Sequence, residues 1–350
     1  MTTGTDQVTA LSDKVKSANL PTDLAESILG RLYQLSRLTN SPTFLPEFDR
    51  INKYVEWVLA VPWNKRTDDI LDLDHARQTL DKNHYGLTEI KDRILEYISV
   101  MRLQKEKGEK GSTISHAPIL CFVGLVGTGK TTFAYSIAEA LGRKFARIPF
   151  GGMGDPLDLR GQSRMHPEAE PGKIVKALRF TQSKNSVILL DEIDRVTDEG
   201  RASIMGVLVE LLDPEQNQAF VDHYIDYPVD LSEILFITTA NNTTHISTAV
   251  LDRLEPIMMP SYSDEEKIMI GRAYILPKIV KASGIPGSAI EIAEEVWPHI
   301  VRPLGFDAGI RTLERTIDGI VRKVARNIVE GKGRSFKVTP ENIKEFLPSY

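Results

Sequence analysis

Cysteine is almost absent. Cys121 stands alone among 350 residues, so no disulfide can close within the chain. It lies in an apolar run, where a thiol is expected as a small buried hydrophobe, and the sparse usage suits a reducing compartment, hence the cytoplasm. Long hydrophobic runs are missing too. Nothing approaches the ~20 apolar residues of a membrane helix, and the polar first residues lack a signal-peptide core, so no membrane association is expected. Positive charge is in deficit: 43 Lys and Arg against 48 Asp and Glu leave a net charge of −5. That removes the basic footprint on which nucleic-acid binding rests. None of the seven histidines stands in a metalloprotease spacing such as His-Glu-x-x-His. Apolar residues are plentiful at 41%, enough for the cores of two or three domains.

Glycine is concentrated where it carries chemistry. Residues 124–131 read Gly-Leu-Val-Gly-Thr-Gly-Lys-Thr, a complete Walker A loop. They follow an apolar, strand-like run at 119–123 and precede a helix marked by Phe133, Ile137, Ala138 and Leu141. In such a loop the backbone N–H groups of Gly124, Leu125, Val126, Gly127, Thr128 and Gly129 converge on phosphate. Lys130 reaches the β/γ oxygens, the Thr131 hydroxyl takes Mg²⁺, and Thr132 completes the turn into the helix. Some 60 residues on, 187–194 read Val-Ile-Leu-Leu-Asp-Glu-Ile-Asp, an apolar strand ending in two acids. Asp191 is the candidate for the Mg²⁺ shell and Glu192 for the base that activates water. A further strand, 236–242, ends in Asn241, which can bond the attacking water or the γ-phosphate.

Around these motifs, apolar periodicity predicts helices at 23–38, 44–61 and 86–104, with a polar connector at 105–116. Short strands follow at 119–123, 145–148, 187–190, 234–238 and 256–259, alternating with helices in the manner of a parallel sheet. Helices are then expected at 264–283, 288–301, 309–330 and 341–347, as a small all-α end domain. The implied division is 1–64, a helical segment; 65–260, an α/β nucleotide-binding domain; and 261–350, the helical domain.

Taken together, residues 57–63, His84-Tyr85-Gly86-Leu87, both Walker motifs, the Leu-Asp-Pro-Glu-Gln-Asn run at 212–217, Asp222-His223-Tyr224, Leu251-Asp252-Arg253 and residues 309–315 resemble the ATPase portion of Lon proteases. The likeness extends from about Leu45 to the end. It implies an AAA+ P-loop NTPase of α/β class, its parallel sheet flanked by helices, with ATP and Mg²⁺ as ligands and a homo-oligomeric, hexameric ring as the assembly. By matching positions Asn241 resembles sensor 1, Arg253 the arginine finger offered to a neighbouring subunit, Arg311 the sensor 2 arginine, and His84, Tyr85 and Gly86 the element bordering adenine. Unfolded or tagged proteins are the implied substrates.

Two departures stand out. Family members carry a Ser-Lys protease domain after the helical domain, whereas this chain stops at Tyr350; peptide hydrolysis by this chain alone is not expected, and another chain is one source of a peptidase. The segment 160–172 holds His166 and Pro167 where Lon-like ATPases place an aromatic–aliphatic pair that grips substrate. Either neighbours such as Met165 and Met153 supply the grip, or the protein is a nucleotide-dependent scaffold that threads nothing.

Overall fold

The computed structural model describes residues 4–107, 119–302 and 309–348. Helices α1 (Gly4–Ser17), α2 (Thr22–Ser36) and α3 (Phe44–Ala60) open the chain. The last two follow the predicted apolar spacing. The first was not expected, because its buried stripe is only Val8, Leu11 and Val15 on an otherwise polar helix. These stripes do not form a core of their own. With Ile28, Leu32, Val55 and Val58 they join the apolar cluster on one face of the main sheet.

An irregular stretch leads from α3 to the next helix. Arg143 forks onto both carboxylate oxygens of Asp69 at 2.8 Å, both side chains nearly buried. Asn185 accepts from the Thr67 N–H and donates to its carbonyl. Helix α4 (Leu73–Asn83) is capped by Asp72, which accepts from the His75 N–H at 2.7 Å. Helix α5 (Thr88–Glu106) starts two residues later than expected, since Gly86 and Leu87 take left-handed backbone angles. Most of the expected connector lies outside the described residues.

Next come β1 (Ile119–Val123), α6 (Lys130–Ala140), β2 (Phe145–Pro149), α7 (Leu157–Arg160), α8 (Lys173–Thr181), β3 (Val187–Asp191) and α9 (Arg201–Leu212). A short antiparallel pair, β4 (Phe220–Val221) and β5 (Pro228–Val229), precedes β6 (Leu235–Ala240), α10 (Thr248–Leu251) and β7 (Leu254–Met258). The five main strands are parallel in the order β2-β3-β6-β1-β7. Parallel neighbours need crossovers, so helices cover both faces and the strands read as continuous apolar runs. From β1 the chain jumps past two strands to β2. That leaves the carboxyl ends of β3, β6 and β1 side by side, the kind of crevice in which open α/β sheets take ligands.

The end domain holds α11 (Asp264–Ile270), a π-turn at Gly271–Ile275, α12 (Leu276–Ser283), β8 (Ile290–Ile292), α13 (Trp297–Val301), α14 (Arg311–Val329), β9 (Phe336–Val338) and α15 (Ile343–Phe346). The helix expected at 288–301 is therefore mostly replaced. Ile290-Glu291-Ile292 alternates with period two and pairs parallel with β9, leaving only the short α13. Apart from β8, β9 and the connecting turns the described domain is helical, packed around Trp297, Ile317 and Val321. No described helix is long and apolar enough to cross a membrane.

Removing one partner of a buried ion pair strands the other charge, so Asp69→Ala should cost about 3–5 kcal/mol. Urea unfolding should show the midpoint fall accordingly; a midpoint at the wild-type value would mean that the Arg143 pair is inert.

Candidate nucleotide site

Strand β1 runs straight into the glycine loop, and the Gly124 N–H still bonds the Ala240 carbonyl of β6. Gly129 caps α6 at φ 94°, a left-handed angle that side chains disfavour. At Gly127 the end domain comes close: a Cβ there would stand 3.3 Å from Gly309 Cα. The Ile310 N–H donates to the Gly127 carbonyl at 3.1 Å. This contact sets the first turn of α14, and with it Arg311, beside the loop. The Arg311 Cγ would lie 3.4 Å from the same added Cβ.

Lys130 is the first residue of α6 and is largely buried. Its Nζ donates to the carbonyls of Gly124 at 2.6 Å and Leu125 at 3.0 Å, and to Asn241 Oδ1 at 3.2 Å. Burial lowers its pKa from the ordinary lysine value, against the opposing pull of Asp191, Asp194 and Glu192. Leu125 and Val126 form the exposed tip of the loop. The Thr128 hydroxyl donates to the Leu125 carbonyl and the Thr132 hydroxyl to that of Gly129. The Tyr262 hydroxyl ties the Thr128 carbonyl to the chain leaving the sheet, at 3.2 Å.

Asp191 ends β3. Its carboxylate lies 3.3 Å from the Thr131 hydroxyl, accepts from Arg147 Nε at 2.6 Å, and accepts from the buried Thr239 hydroxyl. Glu192 follows in a left-handed conformation, φ 59°, its N–H donating to Thr239 Oγ1 at 2.8 Å. Asp194 Oδ2 accepts from the Asn241 N–H at 3.1 Å, and its Oδ1 is buried with no donor. A hydroxyl beside a carboxylate is an all-oxygen donor set of the kind Mg²⁺ takes. A lysine whose ammonium is held only by neutral oxygens, two backbone carbonyls and the Asn241 amide, fits a loop shaped for a phosphate group.

Lys130, Thr131, Asp191, Glu192, Asn241 and Arg311 are thus gathered at one place, and Arg253 is not. Its carbonyl accepts from the Ile119 N–H at the opposite end of β1. Five residues of strand separate it from its own loop by about 16 Å. Its guanidinium pairs with Asp213 at 2.6 Å and donates to the Ala249 carbonyl. His84 is also committed elsewhere: its ring is buried against Phe133, with Nε2 2.9 Å from Ser136 Oγ. Tyr85 and Leu87 pack on the end-domain cluster, and Gly86, at φ 62°, turns the chain between them. Sequence reading missed Arg147, Thr239, Asp194 and Tyr262. Only Asp194, the third acid of the 187–194 run, carried a signal. Cys121 is buried as expected, and burial pushes its thiol up to about 11.

The segment after α7 departs from expectation at one residue. Met165 is 84% exposed, with His166 and Pro167 also exposed, but Met153 is buried in the main cluster. Met153 therefore cannot share a surface grip. The base of the segment is pinned by the buried Asp222 carboxylate, which accepts from the N–H groups of Gly172, Tyr224 and Ile225.

A glycine loop at the end of β1, two acids at the end of β3 and a helical domain closing over them define a P-loop ATPase of the AAA+ class. Residues 120–262 match the ATPase family associated with various cellular activities, and 281–336 match the Lon protease AAA+ ATPase lid domain. Lon protease 2 of Herpetosiphon aurantiacus is 41% identical over 343 residues, covering 98% of this chain and 41% of that protein. Lon protease of Lawsonia intracellularis is 42% identical over 343 residues, 98% of this chain and 40% of that protein. Lon protease 2 of Thermus thermophilus is 38% identical over 348 residues, 98% and 43%. The chain belongs to the Lon family, as its AAA+ ATPase module. The similarity begins well before Leu45, and the chain spans about two-fifths of the length of these relatives.

His84 supplies a pH test. Burial pulls its pKa from 6.5 down to about 4, so the unfolded chain binds a proton that the folded chain resists. The stability present above pH 6.5 should be lost as pH falls towards 4, by about 3 kcal/mol at the bottom of the window. Urea midpoints of wild type and His84→Gln should converge across that window; parallel curves would show that His84 does not contribute.

Proposed function

We propose that this module binds ATP with Mg²⁺ between the glycine loop and the end domain and hydrolyses it. The observation that carries the reading is the convergence of Lys130, Asn241, Asp191 and Glu192, from three adjacent strand ends, on one loop with the Arg311 turn beside it. Backbone N–H groups from Gly127 to Thr132 would cradle the phosphates, and Lys130 would exchange carbonyl partners for phosphate oxygens. Mg²⁺, held by Thr131 and Asp191, would neutralise charge on the β- and γ-phosphates. Glu192 takes the proton of the attacking water, Asn241 orients that water, and Arg311 reports phosphate occupancy to the lid. His84, Tyr85 and Gly86 would border adenine through Tyr85 and the backbone, since the imidazole is spent on Ser136.

Because Arg253 lies so far from its own loop, its role as finger requires a neighbouring copy, and a homo-oligomeric ring, taken as a hexamer, supplies one. Residues 1–64, 65–260 and 261–350 act in this reading as helical base, large domain and lid. The relatives' names support a protein substrate, unfolded or tagged, moved by the ring toward a peptidase in the same or a separate polypeptide; they lend nothing to a scaffold that threads nothing. The lone Cys121 supports a reducing cytoplasm.

Glu192→Gln should retain ATP binding, followed with a fluorescent nucleotide, while phosphate release falls at least about 100-fold. Lys130→Ala should lose binding itself. Undiminished turnover in Glu192→Gln would remove Glu192 as the base.

A further inference from the structure

Thr239 is the penultimate residue of β6, fully buried at 0% exposure. Its neighbours along the strand are apolar except Thr238, the register partner of Cys121 on β1, which bonds neither acid. The Thr239 hydroxyl, by contrast, meets both acids of the preceding motif. It accepts from the Glu192 N–H at 2.8 Å and donates to Asp191 Oδ1. An N–H can only donate and a carboxylate only accept, so the hydroxyl has a single orientation that satisfies both. Its one proton goes to Asp191.

Two consequences follow for the acids. The first Asp191 oxygen is fixed by Thr239 and the second by Arg147, which sets the plane of the carboxylate facing Thr131. Glu192 leaves β3 in a left-handed conformation, φ 59° and ψ 49°, which a non-glycine residue keeps only when surrounding bonds hold it. Its N–H bond to Thr239 is such a bond, made inside the sheet at the point where the chain turns out of it.

We propose that Thr239 is a positioning residue for hydrolysis: one buried hydroxyl aims the Asp191 carboxylate and fixes the turn that points Glu192 at the water. This rests on the ATP-hydrolysing reading given above. Thr239 is fully buried and acts only through the two acids its hydroxyl bonds. Losing it should leave nucleotide binding without metal intact and weaken the steps that depend on the two acids.

The test uses the full chain with Thr239→Val, which keeps the shape and deletes the hydroxyl, Thr239→Ser, which keeps the hydroxyl, and Thr238→Val as a control one residue away. Affinity for a fluorescent ATP analogue is measured in EDTA and across an Mg²⁺ titration, alongside kcat, KM and melting temperature. Thr239→Val should bind nucleotide in EDTA like wild type, need more Mg²⁺ for half-maximal tightening, and lose about ten- to a hundredfold in kcat, the size expected for a bond to a charged group. Thr239→Ser and Thr238→Val should stay near wild type in all three. A folded Thr239→Val with wild-type kcat and Mg²⁺ response, or a Thr239→Ser as impaired as Thr239→Val, overturns the proposal. Should Thr239→Val not fold, Thr239→Ala carries the same expectation and the same overturning result. Glu192→Gln separates the two readings: if it slows hydrolysis while Thr239→Val does not, the positioning role alone fails; if neither does, the hydrolytic assignment has failed.

Discussion

The structure depends on the backbone pairing of β6 between β3 and β1. Parallel strands rise about 3.3 Å per residue and stand about 4.8 Å apart, so this pairing fixes, to within a side chain's reach, where three separate stretches of sequence end. The glycine loop, the Asp191-Glu192 pair and Asn241 have no local reason to meet. The ladder brings them together, and the apolar clusters on the two faces hold the ladder. The first three helices take part in this, since their buried stripes belong to one of those clusters.

Charge at the strand ends is balanced by sharing. Asp191 meets Thr131, Thr239 and Arg147, Asp194 caps the backbone at Asn241, and Lys130 turns back on carbonyls of its own loop. Of these, the Lys130 ammonium reaches its carbonyl partners with a flexible side chain, which can leave them without rebuilding the backbone. The lid enters the same network at two loop carbonyls: that of Gly127 accepts from the Ile310 N–H, and that of Thr128 from the Tyr262 hydroxyl.

Much of this was legible in the sequence. The strands were found because buried parallel strands read as uninterrupted apolar runs, and the loop because phosphate binding demands glycines and a lysine at fixed spacing. Less visible was whatever depends on the partner across space. Thr239 is an ordinary strand residue until β3 lies beside it, and Arg147 gives no hint of Asp191, 44 positions away. The short strand β8 reads as helix in the sequence because a single apolar–polar alternation over three residues does not outweigh the helical spacing around it, and pairing with β9 is what makes it a strand. Met153 looked available beside an exposed segment, yet the turn at the end of β2 carries it inward. Helix α1 was hidden by its polar composition, which three buried residues suffice to anchor.

The central claim is that the hydrolytic site is completed by Arg253 from a second copy of the chain. It rests on the separation of Arg253 from its own glycine loop by the length of β1. Co-expressing Arg253→Ala with Lys130→Ala measures it directly. Neither variant should hydrolyse ATP alone, the first lacking the finger and the second the nucleotide. The mixed assembly should recover turnover, because sites with an intact loop then face an intact Arg253. An Arg253→Ala protein that is fully active by itself, or a mixture silent at every ratio, would contradict the account.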